Sequence, residues 1–308
     1  VITVHSISKY TEEHPVVITI GTFDGVHIGH LKILQRIITA AKKTGLKSAL
    51  LTFFPHPRMV LQSNTDIKLL NTVAEKAAIL ERLGLDVLII QPFTKDFSRL
   101  SATEFVRDIL VNLLKSKKII IGYDHRFGRN RNANIKDLIA FGAALDFEVE
   151  EIPAQEIAAI SVSSTKIRKA LEQGEIRTAN AFLGYAYLLT GTIVKGKGVG
   201  RTLSFPTANL AIAEEYKQIP KNGVYVVSSL LQGAVVYGMM NIGFNPTVNG
   251  RIRSIEIHYF NLDADLYGQQ IQVNVLHRLR DEKRFSSLDD LKAQLAVDQK
   301  KALELTTR

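Results

Sequence analysis

The sequence predicts an α/β protein of two domains: a doubly wound parallel sheet with helices on both faces, then a closed antiparallel β-barrel with a C-terminal helix. Three observations carry this. The chain has 308 residues, more than one small core usually organises. Residues 1–185 alternate short apolar runs with segments of helical period. After Gly184 the text changes to β-branched runs broken by Gly, Asn and Pro, and the boundary is set at 185/186.

In the first part, Val16–Gly21, Ser48–Phe54, Asp86–Gln91, Lys118–Gly122 and Phe147–Ile152 are apolar enough for strands covered on both faces. Leu31–Thr44, Ala74–Leu83, Ala102–Leu114 and Ile135–Leu145 have helical spacing between them. In the second part, Leu188–Val194, Val224–Leu231, Val235–Asn241, Ile252–Phe260 and Ile271–Leu276 read as antiparallel strands. A helix over Leu288–Leu305 closes the chain, with Leu288, Leu291, Leu295 and Ala302 expected on one buried side.

Composition narrows the function. With 46% hydrophobic and 22% charged residues the chain is ordinary globular material. No stretch approaches the roughly 18 apolar residues of a membrane span, so no membrane partner is expected. Val1–His5 lacks the features of a secretory signal. The absence of cysteine excludes disulfides, thiolate metal sites and a cysteine nucleophile, and fits a reducing cytoplasm. The net charge of +9 could serve nucleic acid. Its basic residues are dispersed, as in Lys115–Lys118 and Arg126–Arg131, and there is no Trp to stack bases. Small phosphate-rich ligands account for the excess without a nucleic-acid partner.

The segment Gly21-Thr22-Phe23-Asp24-Gly25-Val26-His27-Ile28-Gly29-His30 follows a strand and opens a helix. His27 and His30 project the same way from a first turn, and Gly29 leaves room for a group to approach the backbone. The helix N-terminus adds N–H donors and partial positive charge, suited to an anion. The competing readings of the pair are solvent-exposed capping residues and zinc ligands; for zinc, no further ligands have the spacing. A second segment, Ser161-Val162-Ser163-Ser164-Thr165-Lys166-Ile167-Arg168, offers hydroxyls and N–H groups at a helix start with Arg168 one turn on. Alone, that is an N-cap; with the His pair, it is a place for the outer phosphates of a nucleotide.

Together these segments resemble the nucleotidylyltransferase superfamily with its His-Ile-Gly-His signature. Thr52–Pro57, Leu100–Val106 and Gly122–Gly128 match the Rossmann-like FMN adenylyltransferase domain of bacterial bifunctional riboflavin kinase/FAD synthetases. The resemblance implies ATP bound over Gly21, Phe23, Asp24, His27, Gly29 and His30, with Ser163, Ser164, Thr165 and Arg168 on the departing pyrophosphate. It places FMN against Asp124, Arg126 and Phe127. His125 stands where many relatives carry an apolar or aromatic residue.

In the β region, Gly196-Lys197-Gly198-Val199-Gly200-Arg201 is a basic glycine loop but no Walker loop, since Gly198 replaces the Ser or Thr and no helix follows. It precedes Phe205-Pro206-Thr207-Ala208-Asn209, whose Thr and Asn oxygens lie two residues apart on one side of an extended strand. With Gly243–Thr247, Ser254–His258, Asp265–Gly268 and Leu279–Phe285, this set resembles the riboflavin kinase barrel. The resemblance implies that Gly196, Lys197, Gly198, Gly200 and Pro206 hold ATP, that Thr207 and Asn209 bind Mg²⁺ (Mn²⁺ fitting nearly as well), and that Glu256 is the base. Asn245, Arg280 and Phe285 are implied to bind flavin. Ser204 stands where relatives often have Gly.

Both halves thus imply consecutive steps, riboflavin to FMN and FMN to FAD, each with ATP as co-substrate. Two other readings remain at this point: nucleotidyl transfer to another phosphorylated metabolite, or a non-catalytic flavin- or RNA-binding regulator on the same folds.

Overall fold

The computed structural model describes residues 1–11, 13–62, 65–154, 162–196, 200, 203–247 and 250–306, with backbone alone for 245–247 and 250–252. Contacts divide the chain into two compact units, Val1–Ser164 and Thr165–Arg308.

The first unit is built on six parallel strands: β1 (Ile2–His5), β2 (Val16–Ile20), β3 (Lys47–Phe54), β4 (Val87–Pro92), β5 (Ser116–Gly122) and β6 (Glu148–Ile152). Their order across the sheet is β1-β4-β3-β2-β5-β6. Every residue of β2 is buried, as its unbroken apolar run requires at the centre of a sheet covered on both faces. The helices are α1 (Ile28–Thr44), α2 (Pro57–Leu61), α3 (Val73–Arg82) and α4 (Ile135–Leu145). Segment Glu104–Leu113 is wound as a π-helix, where Leu114 N–H donates to the Ile109 carbonyl five residues back. Its buried Phe105, Val106, Ile109 and Leu110 join Ile18, Ile20, Ile119 and Ile121 in the core.

From β2 the chain steps outward through β3 to β4, then returns to place β5 on the other side of β2. The order reverses between β2 and β5, and such a reversal opens a crevice at the carboxyl ends of the two strands. The loop after β2 carries Gly21–His27 and the loop after β5 carries Tyr123–Phe127. The topology alone therefore brings the two N-terminal motifs to adjacent strand ends.

The second unit begins with helices α5 (Ser164–Gln173) and α6 (Ile176–Leu183), the first residue of α5 still counting with the sheet unit. Six strands follow: β7 (Tyr187–Val194), β8 (Ala208–Ala211), β9 (Gly223–Leu231), β10 (Ala234–Thr247), β11 (Gly250–Tyr259) and β12 (Gln270–Arg280). They close into an antiparallel barrel in the order β10-β11-β8-β7-β12-β9. Asn180 fastens α6 to it, donating to the Val275 carbonyl at 2.9 Å and accepting from Tyr187 N–H at 2.8 Å.

Helix α7 (Leu288–Thr306) packs Leu291, Leu295, Ala302 and Leu305 over Leu203, Phe205, Val226, Met239 and Phe260. Leu288 departs from expectation: it is 59% exposed, at the head of a helix whose first three residues are all exposed. The sequence reading also omitted β1, α2 and α6, read α5 only as a helix start and β8 only as an extended strand at Thr207 and Asn209, and ended β10 six residues before its observed end at Thr247.

Candidate active sites

At the carboxyl end of β2 the backbone turns sharply, with Phe23, Gly25 and Val26 at φ of 44°, 85° and 38°. The turn delivers His27 to the N-cap of α1, where its Nδ1 accepts from His30 N–H at 3.4 Å. In a neutral ring the other nitrogen then carries the proton. The rings of His27 and His30 stack at 3.6 Å and 16°, and Phe23 lies 4.6 Å from His30. A Cβ at Gly29 would come within 3.2 Å of the His27 ring. The glycine makes room for the stack itself.

Burial dominates the electrostatics of the pair. Desolvation pulls His27 down to about 4 against the favourable charge of Asp24. Desolvation also holds His30 well below its ordinary value, and the neighbouring His27 and Lys76 add to it. Both rings are therefore neutral N–H donors at physiological pH. The Nδ1 of His30 is sealed from solvent without a hydrogen-bond partner.

Asp24 is 3% exposed, and its carboxylate accepts Leu70 N–H at 2.9 and 3.2 Å and Asn71 N–H at 3.4 Å. Its carbonyl accepts the Ser164 hydroxyl at 2.9 Å, a bond spanning 140 residues that joins the two nucleotide motifs. Ser163 precedes α5 and is exposed; Thr165 and Arg168 lie on the first turns of α5, within the second unit. Gly21 sits beneath the Phe23 ring, a Cβ there falling 3.0 Å from Cε2.

The turn after β5 is pinned by Phe127, which exchanges backbone hydrogen bonds with Ala133 at 3.1 and 3.2 Å. Asp124 and Arg126 are exposed, whereas Phe127 is buried. His125 packs its ring 6.2 Å from that of Phe127, and desolvation lowers it to about 4.

In the barrel, strand register places Glu256 of β11 opposite Asn209 of β8. Ile255 and Ile257 turn into the core, so Glu256 faces the other way, half-buried, and accepts from Thr207 Oγ1 at 3.4 Å. Pro206 offers its carbonyl to His258 Nδ1 at 2.8 Å. The two described glycines of the basic loop crowd this cluster: a Cβ on Gly196 would collide with the Asn209 amide, and one on Gly200 would meet Thr207 Oγ1 at 3.3 Å. Ser204 stands at φ 64°, a left-handed position that favours glycine. Lys197, Gly198 and the side chain of Asn245 lie outside the described residues.

Arg280 is tied by 2.7–3.1 Å contacts to Asp298 of α7, which is 1% exposed, and its guanidinium lies 5.9 Å from the Phe285 ring. Sequence reasoning missed Asp298, which reads as one more charge on a polar helix. It also missed Lys76, whose ammonium donates to the Thr22 carbonyl at 2.7 Å and to Thr52 Oγ1 at 3.4 Å beneath the His turn. Among the described residues, no group of three His, Cys, Asp or Glu side chains could hold a metal ion. None of the described helices is long and apolar enough to cross a membrane.

Two family models match, FAD synthetase over residues 9–166 and riboflavin kinase over residues 183–306. A bifunctional riboflavin kinase/FMN adenylyltransferase of Listeria monocytogenes is 36% identical over 92% of this chain and 90% of its own. The Escherichia coli protein of the same description is 35% identical over 99% of this chain and 95% of its own. A solved Streptococcus pneumoniae structure described as a macrolide-efflux protein superimposes with a TM-score of 0.86, at 29% identity, over 97% of this chain and 98% of that one. That likeness extends to the whole fold, while both family models and the curated relatives agree on flavin chemistry.

Proposed function

The chain belongs to the bifunctional riboflavin kinase/FMN adenylyltransferase family and makes FAD from riboflavin in two ATP-dependent steps; on that premise we propose how its residues divide the work. Residues 1–185 transfer the adenylyl group to FMN, and residues 186–308 phosphorylate riboflavin.

The division rests on where a base is available. The phosphate of FMN is already an ionised nucleophile, so attack on the α-phosphorus of ATP needs alignment and charge stabilisation but no base. The His pair suits that task. Its neutral rings donate N–H groups, and nearby Asp24 has its carboxylate turned to backbone amides. His27 and His30 stabilise charge growing on the α-phosphate at the N-terminus of α1. Gly21, Phe23 and Gly29 shape the turn, while Ser163, Ser164, Thr165 and Arg168 hold the leaving pyrophosphate. Asp124, Arg126 and Phe127 receive the flavin across the β2–β5 crevice.

Riboflavin presents a hydroxyl, which is a poor nucleophile until its proton is removed. Glu256 stands beside Thr207 and opposite Asn209, and it takes that proton. Gly196, Lys197, Gly198 and Gly200 cover the phosphates, with Pro206 setting the strand entry. Thr207 and Asn209 offer hard oxygens beside a carboxylate, in a cradle that side chains at Gly196 or Gly200 would fill, and this donor set fits Mg²⁺, with Mn²⁺ nearly as good. When bound, the ion would neutralise phosphate charge. Asn245, Arg280 and Phe285 bind the flavin ring system, with Arg280 held in place by Asp298.

Chromatography of products from the purified chain with riboflavin, ATP and Mg²⁺, beside an FMN-fed reaction, tests the scheme in the Glu256→Gln and His27→Ala variants. Glu256→Gln should convert FMN to FAD but not riboflavin to FMN, and His27→Ala should accumulate FMN. Each variant losing both activities would overturn the assignment.

A further inference from the structure

Lys76 is a basic residue whose position beneath the His turn is not explained by packing. It belongs to α3, where Thr72 and Glu75 form a capping box that fixes the helix start. Its ammonium is half-buried and donates to two neutral oxygens, the Thr22 carbonyl at 2.7 Å and Thr52 Oγ1 at 3.4 Å. Thr52 in turn donates to the same carbonyl at 3.0 Å. A long cation is thus drawn under the turn by two oxygens, where a neutral side chain could have closed the gap without the desolvation penalty. Around it stand Asp24 on the same turn, His27 and His30 at the head of α1, His56 at the cap of α2 and Glu75 on its own helix. Thr22, Asp24, Thr52, His56 and Asn71 share with Lys76 a small cleft whose remaining walls are apolar.

We propose that Lys76 is a positioning residue of the adenylyl-transfer site: a fixed positive charge that braces the Thr22 carbonyl at the base of the His turn and disfavours a second cation at His30. The inference rests on placing adenylyl transfer at His27 and His30. Its physical logic is mutual repulsion among cations. A ring beside an ammonium takes up a proton less readily, and a ring that stays neutral keeps the tautomer set by the His27–His30 contact. The charge of Lys76 also contributes to the lowering at His30, beside burial and His27. Lys76 itself is drawn down to about 8 by desolvation, against the charge of Asp24, so it remains mostly protonated at neutral pH and loses its influence in mild alkali.

The experiment measures FAD formation from FMN and ATP across pH 5–9 in the full chain bearing Lys76→Met, Lys76→Arg or His27→Ala. FMN formation from riboflavin in the same preparations is the internal control. In Lys76→Met, kcat for FAD should fall roughly tenfold, less than the loss of a donor that touches phosphate. Its acid limb should move to higher pH, with KM for ATP little changed and FMN formation intact. Lys76→Arg should recover most of the rate and the original acid limb. NMR titration of the histidine ring protons should show the His30 midpoint raised in Lys76→Met; Lys76→Gln replaces it if the Met variant does not fold. An unmoved acid limb, an unmoved His30 midpoint or Arg performing no better than Met would overturn the proposal and leave Lys76 a structural pin. If His27→Ala leaves FAD synthesis unchanged, the site reading itself fails; if His27→Ala abolishes synthesis while Lys76→Met does not lower it, the inference alone fails.

Discussion

On the proposed assignment, the two sites solve opposite problems with opposite materials. Around the His pair, reactive groups are stripped of water and rendered neutral, and carboxylate charge is turned away toward backbone amides. Around Glu256, a half-buried carboxylate is left beside a hydroxyl and opposite an amide, on a strand whose alternate residues enter the core. The first nucleophile arrives ionised and the second must be made so. The contrast teaches that the proton inventory of each substrate, more than the phosphate chemistry common to both, determines how each site is built.

Glu256→Gln is the sharpest attack on that contrast. It should cut FMN formation about a thousandfold while leaving FMN-fed FAD synthesis intact, as product chromatography would show. His27→Ala should lower FAD formation about a hundredfold in the same assay with FMN formation unaffected. A comparable loss from removing Glu256 and from removing Thr207 would instead make Glu256 a scaffold. Gly196→Ala, whose Cβ would collide with the Asn209 amide, should reduce FMN formation about tenfold by displacing one ligand oxygen. Steady-state kinetics on riboflavin would separate this from a change in binding alone.

The smallest effect is on stability. His27 and His125 each titrate near 4 in the fold against 6.5 unperturbed, because burial penalises their charged forms. Between those values the unfolded chain binds more protons than the folded one. The stabilisation is therefore full above pH 6.5 and is lost as pH falls toward 4. In the barrel, His277 is lowered in the same direction by a lesser burial. Calorimetry from pH 7 to 5 should move the transition of the sheet unit downward more than that of the barrel; equal movement would break the comparison.

Much of this was legible in the chain. The four inner strands of the sheet, β2, β3, β4 and β5, carry runs of Val, Ile and Leu, and buried runs of that kind have few alternatives to a covered parallel sheet. The His motif announced its helix start because Gly21–Gly29 must turn sharply to reach it. What escaped depends on distant neighbours. Strand β8 was legible only as an extended stretch at Thr207 and Asn209; its four residues acquire their place by pairing with β7 and β11. Helix α5 was legible only at its start, where its hydroxyls and Arg168 drew the reading toward phosphate, and α6 was passed over, while Ile167, Leu171, Ile176 and Leu183 went unused as buried positions. Lys76 sits 54 residues from the carbonyl it braces, and Asp298 sits 18 residues from its arginine, so neither separation leaves a local signature. The glycine at position 29 was read as room for a group to approach the backbone, and the nearness of the His27 ring, a contact within its own turn, was not foreseen.

The closed barrel has a consequence for how the protein fails. With β9 paired to both β10 and β12 and the six strands closed into a ring, the barrel has no edge strand among the described residues. The open sheet has two rims. One is β1, which is only four residues long. The other is β6, which carries Glu148, Glu150 and Glu151, with Lys118 of the neighbouring strand held at 3.4 Å from Glu148 and 2.9 Å from Glu150. Like charges on two such rims repel any attempt at strand-to-strand pairing. Acid that protonates these carboxylates removes the guard in the same unit that it destabilises through the histidines, so aggregation of this protein should begin at β6 and should be suppressed by keeping that rim charged.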